Sequence, residues 1–267
     1  MKLSEVYQIL NTAAPKSLSD TYCEKYGAYD NSGILVDTGE DVQKVLFSLD
    51  FSYAAIEKAE KVGANLIVTH HPAIYAKLGS VCIDEPLGKK LSLCIKKGIS
   101  VVSQHLNLDV VEGGIDQALA SGILLAAESE ESGVEICSPV TDKDGYGRAY
   151  GVKEITLEKL FENLKKVFQT NRALCYGDKS RKIRRVASFC GAGGDYQGVA
   201  FAHTQNADVI VSADFKHHTI VDALERGVCV VALTHYASEN YGFQKYYEKI
   251  RKALNLSCEF HTDETVL

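Results

Sequence analysis

A chain of 267 residues with formal charge −6, 46% hydrophobic and 24% charged, has the composition of a globular protein able to bury one large core or two smaller ones. The negative balance disfavours nucleic acid as a partner. No apolar run reaches bilayer length, and the start from Met1 to Val6 lacks the apolar stretch of a signal peptide, so a cytoplasmic protein with no membrane partner is expected. The eight cysteines include no C-x-x-C pair, which excludes the common thiolate zinc and redox patterns.

Leu3, Val6, Tyr7 and Leu10 recur at helical spacing, Pro15 closes that helix, and a loop follows. Val42 to Leu49 reads as a strand, Tyr53 to Val62 as a helix and Leu66 to Val68 as another strand, a β-α-β unit. A helix from Pro86 to Gly98 leads into the run from Ile99 to Val102, and a further helix begins at Asp116. Between Ala126 and Gly147 the pattern weakens into an acidic, Ser/Gly-containing stretch. Beyond it come a strand near Ala149 to Val152, a helix from Leu157 to Phe168, strands at Ala173 to Tyr176 and Arg185 to Phe189, and apolar runs Asp208 to Val211 and Val228 to Leu233 separated by a helix from Thr219. The fold class is α/β, with predominantly parallel sheets in two domains: residues 1–125 completed by 235–267, and residues 126–234.

Four apolar runs end in metal-competent side chains: His70-His71, His105 with Asp109, Asp214 with His217 and His218, and His235 with Glu239. Loops at the carboxyl ends of parallel strands line the ligand crevice, so these groups converge if their strands share or face a sheet. Pro72 bars helix continuation after His70-His71, and His235 and Glu239 stand four apart, on one face of a helix. Read singly, a strand-end histidine is more often a hydrogen-bonded structural residue; Asp109 reads equally as a helix cap and Glu239 as a solvated helix face. Read together, His70, His71, Asp109, His235 and Glu239 exceed what one zinc ion takes and suit two divalent ions, Asp109 bridging, with zinc, iron, manganese or magnesium all open. The Cys190-Gly191-Ala192-Gly193-Gly194-Asp195 turn is a weaker anion-site candidate, and Asp30-Asn31-Ser32-Gly33 reads as either a ligand contact or an Asx-type turn.

Tyr29 to Gly33, Thr69-His70-His71-Pro72, His105 with Asn107-Leu108-Asp109 and Gly113-Gly114, and Asp208 to His218 followed by His235 to Glu239 resemble the Nif-three-like dinuclear metal-centre family, many of whose members are known as GTP cyclohydrolase 1 type 2 homologues. The resemblance implies the same five metal ligands, two α/β domains with the metals in the cleft between them, and a toroidal homohexamer. It places His105, His217 and His218 around the metals as supporting or substrate-facing groups. Asp214 stands in Ser-Ala-Asp where Thr-Gly-Glu or Thr-Gly-Asp is usual, and Tyr29 replaces a common Trp. The activity implied is a metal-dependent hydrolysis of a nucleotide, GTP ring opening being the named case, with His217 or His218 as general acid or base. Alternatives from other classes are a non-catalytic metal- and nucleotide-binding regulatory protein and a two-metal phosphoesterase.

Overall fold

The computed structural model describes residues 1–266. Leu3, Val6 and Leu10 form the buried stripe of α1 (Leu3–Ala13). Pro15 does not open a loop: it is the N-cap of α2 (Lys16–Tyr26), its carbonyl free to accept from Leu18 N–H at 3.0 Å even though its ring ends the helix before it. There follow β1 (Gly33–Val36), β2 (Lys44–Ser48), α3 (Tyr53–Val62), β3 (Leu66–Thr69), α4 (Pro86–Lys96), β4 (Ser100–Ser103) and the short α5 (Leu106–Val110). After α6 (Ile115–Ala126) come β5 (Ser132–Pro139), β6 (Gly145–Thr156), α7 (Leu157–Val167), β7 (Leu174–Tyr176), β8 (Lys182–Ser188) and α8 (Tyr196–Thr204). The chain continues through β9 (Val209–Ser212), α9 (His217–Glu225), β10 (Cys229–Ala232), α10 (His235–Ala253) and β11 (Ser257–His261).

Two compact units divide the chain, and the first comprises Met1–Val111 with Phe243–Glu264. Its sheet runs β1-β4-β3-β2-β11, parallel throughout except for β1 on β4. Strands β3 and β4 are buried along their whole length, as strands covered on both faces are. Leu46, Ile67 and Val101 lie side by side in register and pack with Ile56 and Ala59 of α3 and Leu91 and Cys94 of α4. The alternate residue Phe47 turns to the opposite face, where its ring meets Phe243, Tyr246 and Tyr247 of α10 at 6.2, 6.4 and 5.3 Å. Each such burial contributes roughly 1.5–3 kcal/mol.

The second unit comprises Glu112–Gly242, with Thr265 and Val266. Its sheet runs β5-β6-β8-β9-β10-β7; β8, β9 and β10 are parallel, while β5, β6 and β7 join antiparallel at the flanks. Parallel pairing is thus predominant in the first sheet and central in the second. The acidic, Ser/Gly-containing stretch where the sequence pattern weakens holds β5, an edge strand whose first four residues are exposed and which therefore shows no apolar alternation. The contact boundary falls at Val111/Glu112 instead of 125/126, because α6 packs on α7, β6 and β8, and its fully buried Asp116 pairs with buried Arg148 of β6 at 2.8 Å. At the far end it falls within α10, after Gly242. Among the described residues no helix is long and apolar enough to cross a membrane.

Candidate metal centre

In the first unit the register sets Thr69 of β3 opposite Ser103 of β4, with Thr69 Oγ1 and Ser103 Oγ 2.7 Å apart. His70-His71 and Gln104-His105 therefore leave the sheet side by side. Both His70 and His71 donate their backbone N–H to the Leu49 carbonyl, at 3.1 and 3.0 Å, which brings Asp50, the residue after it, to the same edge. Because β1 runs antiparallel, with Gly33 opposite Ser103, Asp30 and Ser32 arrive there too. Ring centroids lie 5.0 Å apart for His70 and His71, 5.1 Å for His70 and His105, and 6.0 Å for His71 and His105. His70, His105 and Asp109 each offer a ligand atom within 4.8 Å of the others.

Each imidazole is anchored through Nδ1. His70 Nδ1 lies 2.8 Å from the Gln104 carbonyl, His71 Nδ1 2.7 Å from Asp50 Oδ1 and His105 Nδ1 2.7 Å from Asp30 Oδ1. An oxygen that only accepts fixes the ring proton on Nδ1 and leaves the lone pair of the neutral ring on Nε2, the arrangement that metal-binding histidines use. His70 Nε2 then faces Asp109 Oδ1 at 3.4 Å, both groups almost wholly buried. A lone pair facing a carboxylate in a dry site is repulsive until a proton or a cation lies between them. Asp30 also accepts from Ser19 Oγ at 2.5 Å and Ser32 Oγ at 2.6 Å. Burial opposes charge on both members of the Asp30–His105 pair, but their contacts outweigh it. Hydrogen bonds from His105, Ser19 and Ser32 hold Asp30 well below the usual carboxylate range, and Asp30 with Asp109 lifts His105 above the ordinary imidazole value.

The second unit repeats the device. Ser188 of β8 pairs with Val211, and Ser212 of β9 with Ala232 of β10, so Cys190-Gly191, Asp214 and His235 follow their strands at one edge. Asp214 takes a left-handed φ of 56°, a conformation Asp tolerates better than most residues, and its Oδ2 lies 2.6 Å from His235 Nδ1. His235 Nε2 lies 3.1 Å from Oε2 of the buried Glu239, one helical turn on, again a ring nitrogen facing a carboxylate. Gly191 N–H donates to Ser238 Oγ at 3.0 Å, and Ser238 Oγ to the His235 carbonyl at 2.8 Å. At Gly191 the φ is 55° and a Cβ would overlap the Glu239 carboxylate, so this glycine is a seat for Glu239. The weaker reading of its loop as an anion cradle fares worse: Asp195 caps α8 by accepting from Gly198 N–H at 2.8 Å, putting a negative charge where a phosphate would sit.

The structure thus brings together His70, His71, His105 and Asp109 in the first unit, and His235 and Glu239 in the second. His217 and His218 open α9 and are exposed, the His218 ring stacked on Tyr196 at 5.4 Å. His203 is on α8, away from any strand end. Sequence reading overlooked Asp50 as the partner of His71, although it too directly follows an apolar strand run. Of the two readings of its motif the structure shows the Asx-type turn, Asp30 accepting from Ser32 N–H at 3.3 Å, and the same carboxylate orients His105.

Two α/β units whose sheet edges carry anchored imidazoles opposite carboxylates define a protein with residue groups able to hold a metal. The chain belongs to the Duf34/NIF3 family (NGG1p interacting factor 3), whose sequence profile matches residues 1–265. It is 30% identical over 268 residues to the GTP cyclohydrolase 1 type 2 homolog of Clostridium perfringens, covering 97% of this chain and 95% of the relative. It is also 30% identical to the protein of the same name from Methanocaldococcus jannaschii, over 96% of this chain and 97% of the relative. Among solved structures, reduced HcgD from Methanocaldococcus jannaschii superposes with a TM-score of 0.78 at 28% identity, covering 97% of both chains. A Bacillus cereus protein related to NIF3 shares the fold, with a TM-score of 0.79 at 22% identity over 98% of this chain and 97% of that one.

Proposed function

We propose that the chain is a metal-dependent hydrolase acting on a nucleotide, its two divalent ions held by His70, His71, Asp109, His235 and Glu239. The observation that carries this reading is the device repeated at His70 and His235: Nδ1 committed to an oxygen, Nε2 turned on a carboxylate at 3.4 and 3.1 Å. Nitrogen and oxygen donors of this kind suit zinc, iron, manganese or magnesium. Relatives named GTP cyclohydrolase 1 type 2 homolog support a purine nucleotide as substrate and hydrolytic opening of its imidazole ring as the reaction.

When bound, divalent ions polarise water so that hydroxide is available near neutral pH. The Gln104 carbonyl, Asp50 and Asp214 fix the rings of His70, His71 and His235 through Nδ1 and leave Nε2 to face a metal. Asp109 and Glu239 would supply the negative charge that two dications need. His217 and His218, exposed at the start of α9, are the proton-transfer groups of this reading. Assembly as a cytoplasmic homohexamer belongs to it as well, and light scattering on the purified chain tests the mass.

Elemental analysis of the native protein beside His70→Ala and Asp109→Ala, coupled to incubation with GTP, tests the whole. The native chain is expected to hold two ions and release formate, and the variants to lose metal and turnover together. Metal-loaded protein that yields neither formate nor a ring-opened product would rule the reaction out.

A further inference from the structure

Beside the first-unit histidines stand two tyrosines that the hydrolase reading leaves without a role. Tyr29 and Tyr75 are 48% and 50% exposed, yet they are held in place. Their rings meet edge to face, centroids 5.4 Å apart at 86°, and the Tyr75 hydroxyl donates to the Tyr29 carbonyl at 3.3 Å. Asn31 Nδ2 donates to the Ile74 carbonyl at 2.6 Å, tying the segment before β1 to the one after Pro72. Tyr75 in turn meets the His105 ring edge-on at 6.2 Å and 86°, and His105 belongs to the cluster with His70 and Asp109. Two aromatic rings fixed by polar contacts while keeping half their surface in water, and abutting a metal-competent edge, are pre-organised to stack a flat partner.

We propose that Tyr75, braced by Tyr29, is the stacking platform for the planar base of the nucleotide, and so determines specificity for aromatic heterocycles over other phosphorylated compounds. The inference rests on the nucleotide reading above. A base fits better than a phosphate because tyrosine offers π-surface and no positive charge. Every base presents a π-face, so stacking gives affinity without demanding one hydrogen-bond pattern.

Calorimetric titration of the zinc-loaded full chain with GTP, and with inorganic triphosphate as the base-free probe, tests it. Tyr75→Ala is expected to weaken GTP binding roughly tenfold or more, and Tyr29→Ala to weaken it less; triphosphate binding and zinc content stay unchanged, and Tyr75→Phe retains most of the affinity. GTP binding by both alanine variants at native strength overturns the platform alone. If those variants instead shift the oligomer mass at unchanged GTP affinity, the tyrosines are a contact between copies of the chain and the proposal falls. A native protein that holds zinc but binds no GTP removes the nucleotide reading itself, and the platform with it.

Discussion

At the scale of single residues, charge placement decides the behaviour of the first-unit edge. Asp30 is depressed in the folded state, so the stability it contributes is fully present above the unfolded carboxylate value and is lost as pH falls through the folded one. Hydrogen bonds to a charged group are worth about 1.5–3 kcal/mol. Asp30→Ala is therefore expected to destabilise the chain by about 2 kcal/mol at neutral pH, and the deficit should shrink as the pH drops below about 4, a trend that urea titrations at several pH values would reveal. At Gly191 the obstacle is steric: Gly191→Ala must tolerate a positive φ and displace the Glu239 carboxylate. Metal content measured by elemental analysis should fall in that variant while the fold, followed by circular dichroism, persists.

The strand-end histidines were legible in the sequence because imidazoles are scarce, eight in the chain, and gathering at strand ends stands out. Their oxygen partners were harder to see. Asp50 is one of 35 acidic residues, and nothing local distinguishes a carboxylate that orients a ring from one that faces water. Gln104 contributes only a backbone carbonyl, which every residue possesses.

At the scale of elements, the buried Asp116–Arg148 pair locks α6 onto β6, and Asp116 also accepts from the Cys190 N–H at 3.3 Å, immediately before the glycine that seats Glu239. Arg148→Met leaves Asp116 buried without its counter-charge and is expected to cost about 3–5 kcal/mol. The double variant Asp116→Leu/Arg148→Met should recover much of that loss, and a thermodynamic cycle from denaturant melts would show it. The elements themselves were readable where burial is two-sided or strictly periodic, as in β3, β4 and α7. They were obscured where only one flank is covered, as in β5, or where Pro15 ends one helix and starts the next. The second sheet's antiparallel flanks were hidden for a related reason, since apolar alternation does not report strand direction.

At the scale of the molecule, a metal held only by the native state stabilises it, by about 2.7 kcal/mol at a free concentration a hundred times the dissociation constant. Chelation should lower the midpoint of thermal unfolding of the native protein. If both units supply ligands, His70→Ala and His235→Ala should each diminish the response to chelator, and a scan in which only one of them does so would confine binding to a single unit. The two-unit organisation was visible in the sequence as a change of pattern, but the boundary was not, because α6 continues the helical periodicity of its surroundings and only its packing assigns it to the second unit.

The first unit is assembled from both ends of the chain: Ser257 to His261 pair with Lys44 to Ser48 to finish its sheet, and Phe243 supplies the ring that covers Phe47. A ribosome delivers the entire Glu112–Gly242 stretch before either of those pieces. The portion made first is consequently completed only after that stretch, and Val45, Leu46 and Phe47 wait on the nascent polypeptide as an unprotected edge, the kind of surface that chaperones shield until the partner strand emerges.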